Sequence, residues 1–191
     1  MATDPVRTLD DGASLTRLRA DFLATSTVAM PLAGLLCWSA LGVAALRLEP
    51  ATVGTLALYI IAAILPVAFL LDRARGRNPF SGGRDNPLTT LFLLSIVGIG
   101  LTVPLVIAAA EAAAEPDLLV LGMAILAGVV WIPYGWAAGD PVGLRHAVAR
   151  GLGCYVAYAV APASVRATVI CGVVAAAYGY SLTAMKRPGP A

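Results

Sequence analysis

Short polar segments divide this chain into six long apolar stretches, at 22–46, 51–71, 88–110, 118–138, 144–161 and 165–185. Each approaches the roughly 20 residues that a helix rising about 1.5 Å per residue needs to cross about 30 Å of hydrocarbon. The pattern predicts an all-α fold, a polytopic transmembrane bundle of six helices. The fifth stretch is the most polar, because His146 and Arg150 fall in its first turns. A short or tilted fifth span would let Arg150 snorkel toward the headgroups. The connections are short, the longest covering 72–87, so the expectation is a single membrane domain over 1–191. Within it, 1–21 is a cytoplasmic amino-terminal segment, 22–185 the bundle and 186–191 a cytoplasmic tail.

Charge gives this bundle an orientation. With the amino terminus inside and six crossings, the inner segments hold Arg7, Arg17, Arg19, Arg73, Arg75, Arg77, Arg84, Arg145, Arg150, Lys186 and Arg187, and the outer ones only Arg47 and Arg166. That asymmetry follows the positive-inside rule and places both termini in the cytoplasm. The turn carrying Glu111, Glu115 and Asp117 has no basic residue and falls outside. At 59% hydrophobic and 13% charged, the chain has more apolar surface than a water-soluble domain of its length can hide. The 13 basic and 11 acidic residues form no long basic patch with interleaved aromatics, so nucleic acid is not an expected partner. Cys37, Cys154 and Cys171 lie far apart within predicted spans and read as small buried hydrophobes. The acidic, arginine-bearing start before residue 22 does not resemble a cleaved signal, so the first span is expected to stay as an anchor.

Several positions have two readings. Asn86-Pro87 suits an N-cap followed by a first helical residue, which starts the third helix at Pro87 or Leu88. The arginines of the preceding loop either set orientation or bind lipid phosphate or an anionic solute. Pro31, Pro66, Pro104 and Pro133 lie inside predicted spans, where each frees a carbonyl one turn earlier and bends the helix or opens a polar point. Trp131, Tyr134 and Trp136 surround Pro133 and serve either a site or an interfacial belt. Gly98 with Gly100, Ala124 with Gly128, Gly135 with Gly139, and Ala175 with Gly179 permit close helix contact, within the bundle or between copies.

His146 and Arg150, four residues apart, share a helix face. With Arg145 and Asp140 they can hold an anion or relay a proton, or simply sit at a boundary. One histidine, no HExxH and no carboxylate–histidine cluster give no basis for a metal or other cofactor. No serine lies in a GxSxG elbow, and no GKS or GKT follows Gly82-Gly83. The chain reads more as a binding protein than as an enzyme.

The segments RNPFSGGRDNPLTTLF, IPYGWAAGDP and RLRADFLATS are similar to those of an uncharacterised bacterial family of small multi-span membrane proteins, a domain of unknown function. The resemblance covers most of residues 17 to 185. It rests on Asn86-Pro87-Leu88 and Pro133-Tyr134-Gly135-Trp136, with 79–85 as a departure. It implies a multi-pass protein of the bacterial cytoplasmic (inner) membrane and transfers no activity.

The expected function is binding or translocation of a small solute or lipid at an inner-side region formed by Arg73, Arg77, Asn86, Tyr134, Trp136, His146 and Arg150. In that scheme arginines neutralise an anionic or amphiphilic ligand, Asn86 positions the third helix and aromatics cover the apolar part. Membrane lipids are expected partners. The alternatives are a structural or regulatory protein, assembling with its own copies or another membrane protein, and a membrane-embedded enzyme with His146 as acid–base.

Overall fold

A computed structural model describes residues 14–26, 28–76 and 86–186. Of these, 84% are helical and none lies in a strand. In chain order the helices are α1 (Leu15–Thr25), α2 (Ala29–Ala44), α3 (Pro50–Ala74), α4 (Pro87–Gly100), α5 (Val103–Ala113), α6 (Pro116–Val129), α7 (Trp131–Ala138), α8 (Val142–Val160) and α9 (Arg166–Ala184). Arg7, Arg77, Arg84, Arg187 and the 79–85 stretch lie outside the described residues.

Among the described residues, nine helices arise from six apolar stretches because three stretches are broken, each for a local reason. Proline cannot donate to the carbonyl four residues back. Pro104 thus frees the carbonyl of Gly100, where α4 ends, and Pro133 frees that of Val129, where α6 ends. Thr102 reinforces the first break by donating its hydroxyl to the Ile99 carbonyl at 2.7 Å. At the end of α1, the hydroxyls of Thr25 and Ser26 both reach the Phe22 carbonyl, at 3.0 and 2.9 Å. Side-chain bonds of this kind compete with the helical ladder. Pro31 falls in the first turn of α2, and Pro66 is carried within the unbroken α3.

Taken through their breaks, Pro87–Ala113 and Pro116–Ala138 join α3 and α9 as four helices long and apolar enough to cross a membrane. The α1–α2 pair, bent by 52°, brings the number to as many as five. The 19-residue α8 is long enough and less apolar, because it carries His146 and Arg150.

Helices α2, α9, α8, α6 and α3 close a ring in that order, with α3 returning to α2 and α6 touching α9 across it. The ring encloses Trp38, Leu41, Val53, Val120, Met123, Cys154, Ile170 and Val174. Helix α5 packs on α6 from outside, while α1, α4 and α7 form a smaller cluster around Phe22, Leu88, Ala137 and Ala138. No residue in the most apolar stretch of Pro87–Ala113 is buried, and nothing would crowd a Cβ added at Gly98 or Gly100.

The two ends differ. At one, Arg166 pairs with Glu115 and Asp117 beside a cleft of about 270 Å³ lined by Arg47, Glu49, Asp117 and Ser164. At the other, the backbone N–H of Lys186 donates to Asp140 Oδ2 at 2.7 Å and its Nζ to the Gly139 carbonyl at 2.6 Å. The aliphatic part of Arg19 lies against the same Gly139. Arg19 and Lys186 therefore both approach Gly139.

Candidate functional site

Helix α8 is amphipathic in the reverse of the aqueous sense. Its buried stripe is Val142, Gly143, His146, Arg150, Cys154 and Ala157, the recurrence of one helix face every three to four residues. Its exposed large side chains include Leu144, Val148, Leu152, Tyr155, Val156 and Val160. Beyond the exposed Arg145 in its first turn, the helix keeps its ionisable His146 and Arg150 inside and large apolar groups outside, which suits lipid as the surrounding solvent, where intramembrane charges face the bundle interior.

Arg150 is 0% exposed. At about 1.5 Å per residue it stands about 12 Å along α8, near mid-helix. Its Cζ lies over the rings of Trp38 and Tyr178, 5.3 and 5.2 Å from their centroids. Room for it depends on Gly128: a Cβ there would come within 3.1 Å of Arg150 Cδ and 3.3 Å of Nε. Neither Nε, Nη1 nor Nη2 has a hydrogen-bond acceptor among the described residues, and the buried Trp38 Nε1 is equally without one. The ion pairs among the described residues belong to Arg166, not Arg150. A guanidinium does not neutralise itself by losing a proton. Each ring contact contributes about 2 kcal/mol when desolvated, whereas each unmet buried donor costs about 1–3 kcal/mol, more when charged. With five N–H bonds on the guanidinium, two rings do not balance the deficit. The arrangement is suited to receive an acceptor carrying negative charge.

One turn earlier, His146 is held on all sides. Its Nδ1 lies 2.7 Å from Ser181 Oγ and 3.1 Å from the Ala177 carbonyl. The Ala177 carbonyl can only accept, so in that contact Nδ1 donates, while the shorter Ser181 contact fits a hydroxyl that either accepts from Nδ1 or donates to it. Nε2 is buried and has no partner among the described residues. The Trp131 ring stacks on the imidazole at 4.1 Å and 15°, and Tyr178 meets its edge at 5.1 Å. Among the described residues no group of three or more His, Cys, Asp or Glu can hold a metal ion.

The seven residues expected from the sequence part into groups. His146 and Arg150 come together in the ring. Tyr134 joins them indirectly, since its ring meets Trp131 at 5.4 Å and also Phe22 and Phe92 at 5.8 and 6.0 Å. Asn86 is a buried cap: its Oδ1 accepts from the Leu88 N–H at 2.9 Å, and its Nδ2 donates to the Leu18 carbonyl at 2.8 Å. It ties α4 to α1. Trp136 is exposed, with Arg19 5.7 Å from its ring centroid, and Arg73 is exposed at the end of α3. Arg77 lies outside the described residues. Arg150 does not snorkel. Its guanidinium turns into the ring, because α8 buries the stripe that carries it.

Sequence reasoning passed over Trp38, Tyr178 and Ser181 as partners of this site. Trp38 did carry a signal, since a tryptophan in the middle of an apolar stretch sits away from the interfacial belt. Tyr178 and Ser181 carried none, their roles arising only from the α8–α9 contact. Gly34 shows how tightly this region is fitted, because a Cβ there would collide with the Tyr178 ring.

Comparison with curated proteins and with solved structures finds no match. A family model matches residues 15–186, spanning every helix described above. The chain belongs to DUF7010, a family of unknown function.

Proposed function

We propose that this chain is a six-pass protein of the bacterial cytoplasmic membrane that binds a small anionic or amphiphilic solute inside its helix ring and carries it across. The observation that carries this reading is Arg150, fully buried with all three guanidinium nitrogens lacking acceptors among the described residues. The reversed amphipathicity of α8 and the exposed Leu91, Leu93, Leu94, Val97, Leu101 and Leu105 along Pro87–Ala113 support a lipid environment, because apolar patches of that extent are rare on water-facing surfaces. On the positive-inside rule, the end bearing Arg19, Arg73 and Lys186 faces the cytoplasm. There Arg73 draws anions toward the entrance, Asn86 fixes the start of α4, and Tyr134 leads through Trp131 to His146 and Arg150, with Trp136 on the outer surface.

Flux from proteoliposomes loaded in turn with acetate, benzoate, chloride or sulfate tests this reading. Wild-type protein is expected to release at least one of these anions faster than protein-free vesicles do, and Arg150→Met to abolish that release. Equal release from wild type and Arg150→Met would remove Arg150 from the path. Labelling of Ser164→Cys and Lys186→Cys from opposite sides of the membrane is expected for the proposed topology; labelling of both from one side would overturn it.

A further inference from the structure

We infer that the ligand held at Arg150 is a carboxylate monoanion, RCOO⁻, bound bidentately by the guanidinium fork with the Trp38 indole N–H as an additional donor. This deepens, and rests on, the anion-binding reading above. The charge comes first. Arg150 has no acidic partner among the described residues, and His146, fully enclosed one turn away, fits as the neutral imidazole, because a second unpaired cation in this dry interior would be strongly disfavoured. A single negative charge neutralises the site, whereas sulfate or a phosphate dianion would leave an uncompensated negative charge in a dry interior, where isolated charge is strongly disfavoured.

Geometry comes second. Trp38 and Tyr178 offer ring faces to the guanidinium carbon, which leaves the N–H bonds of Nε, Nη1 and Nη2 as the free donors. Those donors form a fixed planar fork matched to the two oxygens of a carboxylate. Trp38 Nε1 on α2, also buried and without an acceptor among the described residues, is a further unmet donor in the residue whose ring lies under the guanidinium. A spherical halide offers one centre to both N–H bonds, so it matches the fork less well than two separate oxygens do. The surroundings come third. The enclosing core contributes Met123, Ile170 and Val174, apolar groups suited to the R portion of an organic acid. The acid can come from the aqueous phase or, as a free fatty acid, from the bilayer itself.

Titration of the full chain in zwitterionic-lipid nanodiscs with acetate, benzoate, laurate, chloride and sulfate, read by tryptophan fluorescence and calorimetry, tests the inference. At least one carboxylate is expected to bind one to one, more tightly than chloride or sulfate. Arg150→Lys, which keeps the charge and loses the fork, is expected to weaken it by roughly tenfold or more. Trp38→Phe, which keeps a ring and loses the N–H, is expected to weaken it several-fold and provides a second variant should Arg150→Lys fail to fold. Tight binding of acetate or benzoate supports a water-borne acid, and binding of laurate alone supports a lipid-derived one. Binding of chloride or sulfate in preference to every carboxylate would overturn the carboxylate assignment while leaving the anion site intact. No binding of any probe to wild type would overturn both. Carboxylate affinity unchanged in Trp38→Phe and Arg150→Lys would place the acid elsewhere.

Discussion

Two arginines in this bundle each face aromatic rings, and they differ in what else they meet. Arg166, at one end, donates to Glu115 at 2.8 Å and approaches Asp117 at 3.5 Å, with Tyr158 4.9 Å from its Cζ. Its side chain keeps 20% of its surface. Arg150, near the middle of α8, is fully enclosed and has rings but no carboxylate. The first is an ion-paired structural contact that joins the start of α9 to the start of α6, with its buried Nε left without an acceptor among the described residues. The second carries charge and donors that the described residues do not satisfy. Pairing rather than burial separates a stabilising arginine from one whose retention calls for another explanation.

The sharpest way to break this contrast is to make both side chains apolar. Arg150→Met is expected to raise the stability of the anion-free protein by about 1–4 kcal/mol, as replacement of buried charge by packed hydrophobe does, while removing any stabilisation by added anions. Arg166→Met is expected to lower stability by about 1–3 kcal/mol, because charge-assisted hydrogen bonds are lost and Asp117 is left largely enclosed. Thermal and denaturant unfolding in nanodiscs reads both, and equal losses in the two variants would erase the distinction. The aromatic support of Arg150 gives the next effect. Gly34→Ala forces Tyr178 to move and is expected to cost about 1–3 kcal/mol through overpacking. Gly98→Ala meets open space and is expected to gain up to about 1 kcal/mol from helix propensity. Ser181→Ala, which leaves His146 Nδ1 only the Ala177 carbonyl, is expected to cost about 1 kcal/mol. The smallest change is expected for Glu115→Gln, about 0–1 kcal/mol, since that carboxylate is 39% exposed and Arg166 retains Asp117. The same unfolding curves check each of these, and a large loss in Glu115→Gln would show that the end cluster carries more than surface pairing.

Local rules foretold much of this fold. Asn86-Pro87 caps and opens α4 as its chemistry dictates, and Pro104 and Pro133 end the preceding helices at the carbonyls they strand. Each apolar stretch is helical, though only four or five are long and apolar enough to cross a membrane, and the 22–46 stretch divides where Thr25 and Ser26 take the Phe22 carbonyl. The basic and acidic ends were also legible, from the isolation of Arg47 and Arg166 in otherwise short loops. The site was legible only in part. His146 and Arg150 share a face by their spacing alone, but which way that face turns depends on α2, α6 and α9, far away in sequence. Depth along the chain suggested a boundary shared by Arg73, Trp136 and Arg150, whereas packing leaves Arg73 and Trp136 on the surface and draws Arg150 inward. Trp38, Tyr178 and Gly128 become its neighbours through contacts that no local pattern encodes.

Native mass spectrometry of the protein released from native-membrane nanodiscs, with fragmentation of every retained molecule, places wild type beside Arg150→Met. The expected result is one anionic small molecule or lipid-derived acid per chain in wild type and none in the variant. Wild type without any such molecule, or the same molecule retained by both proteins, would contradict the assignment of Arg150 as the anchor of a ligand.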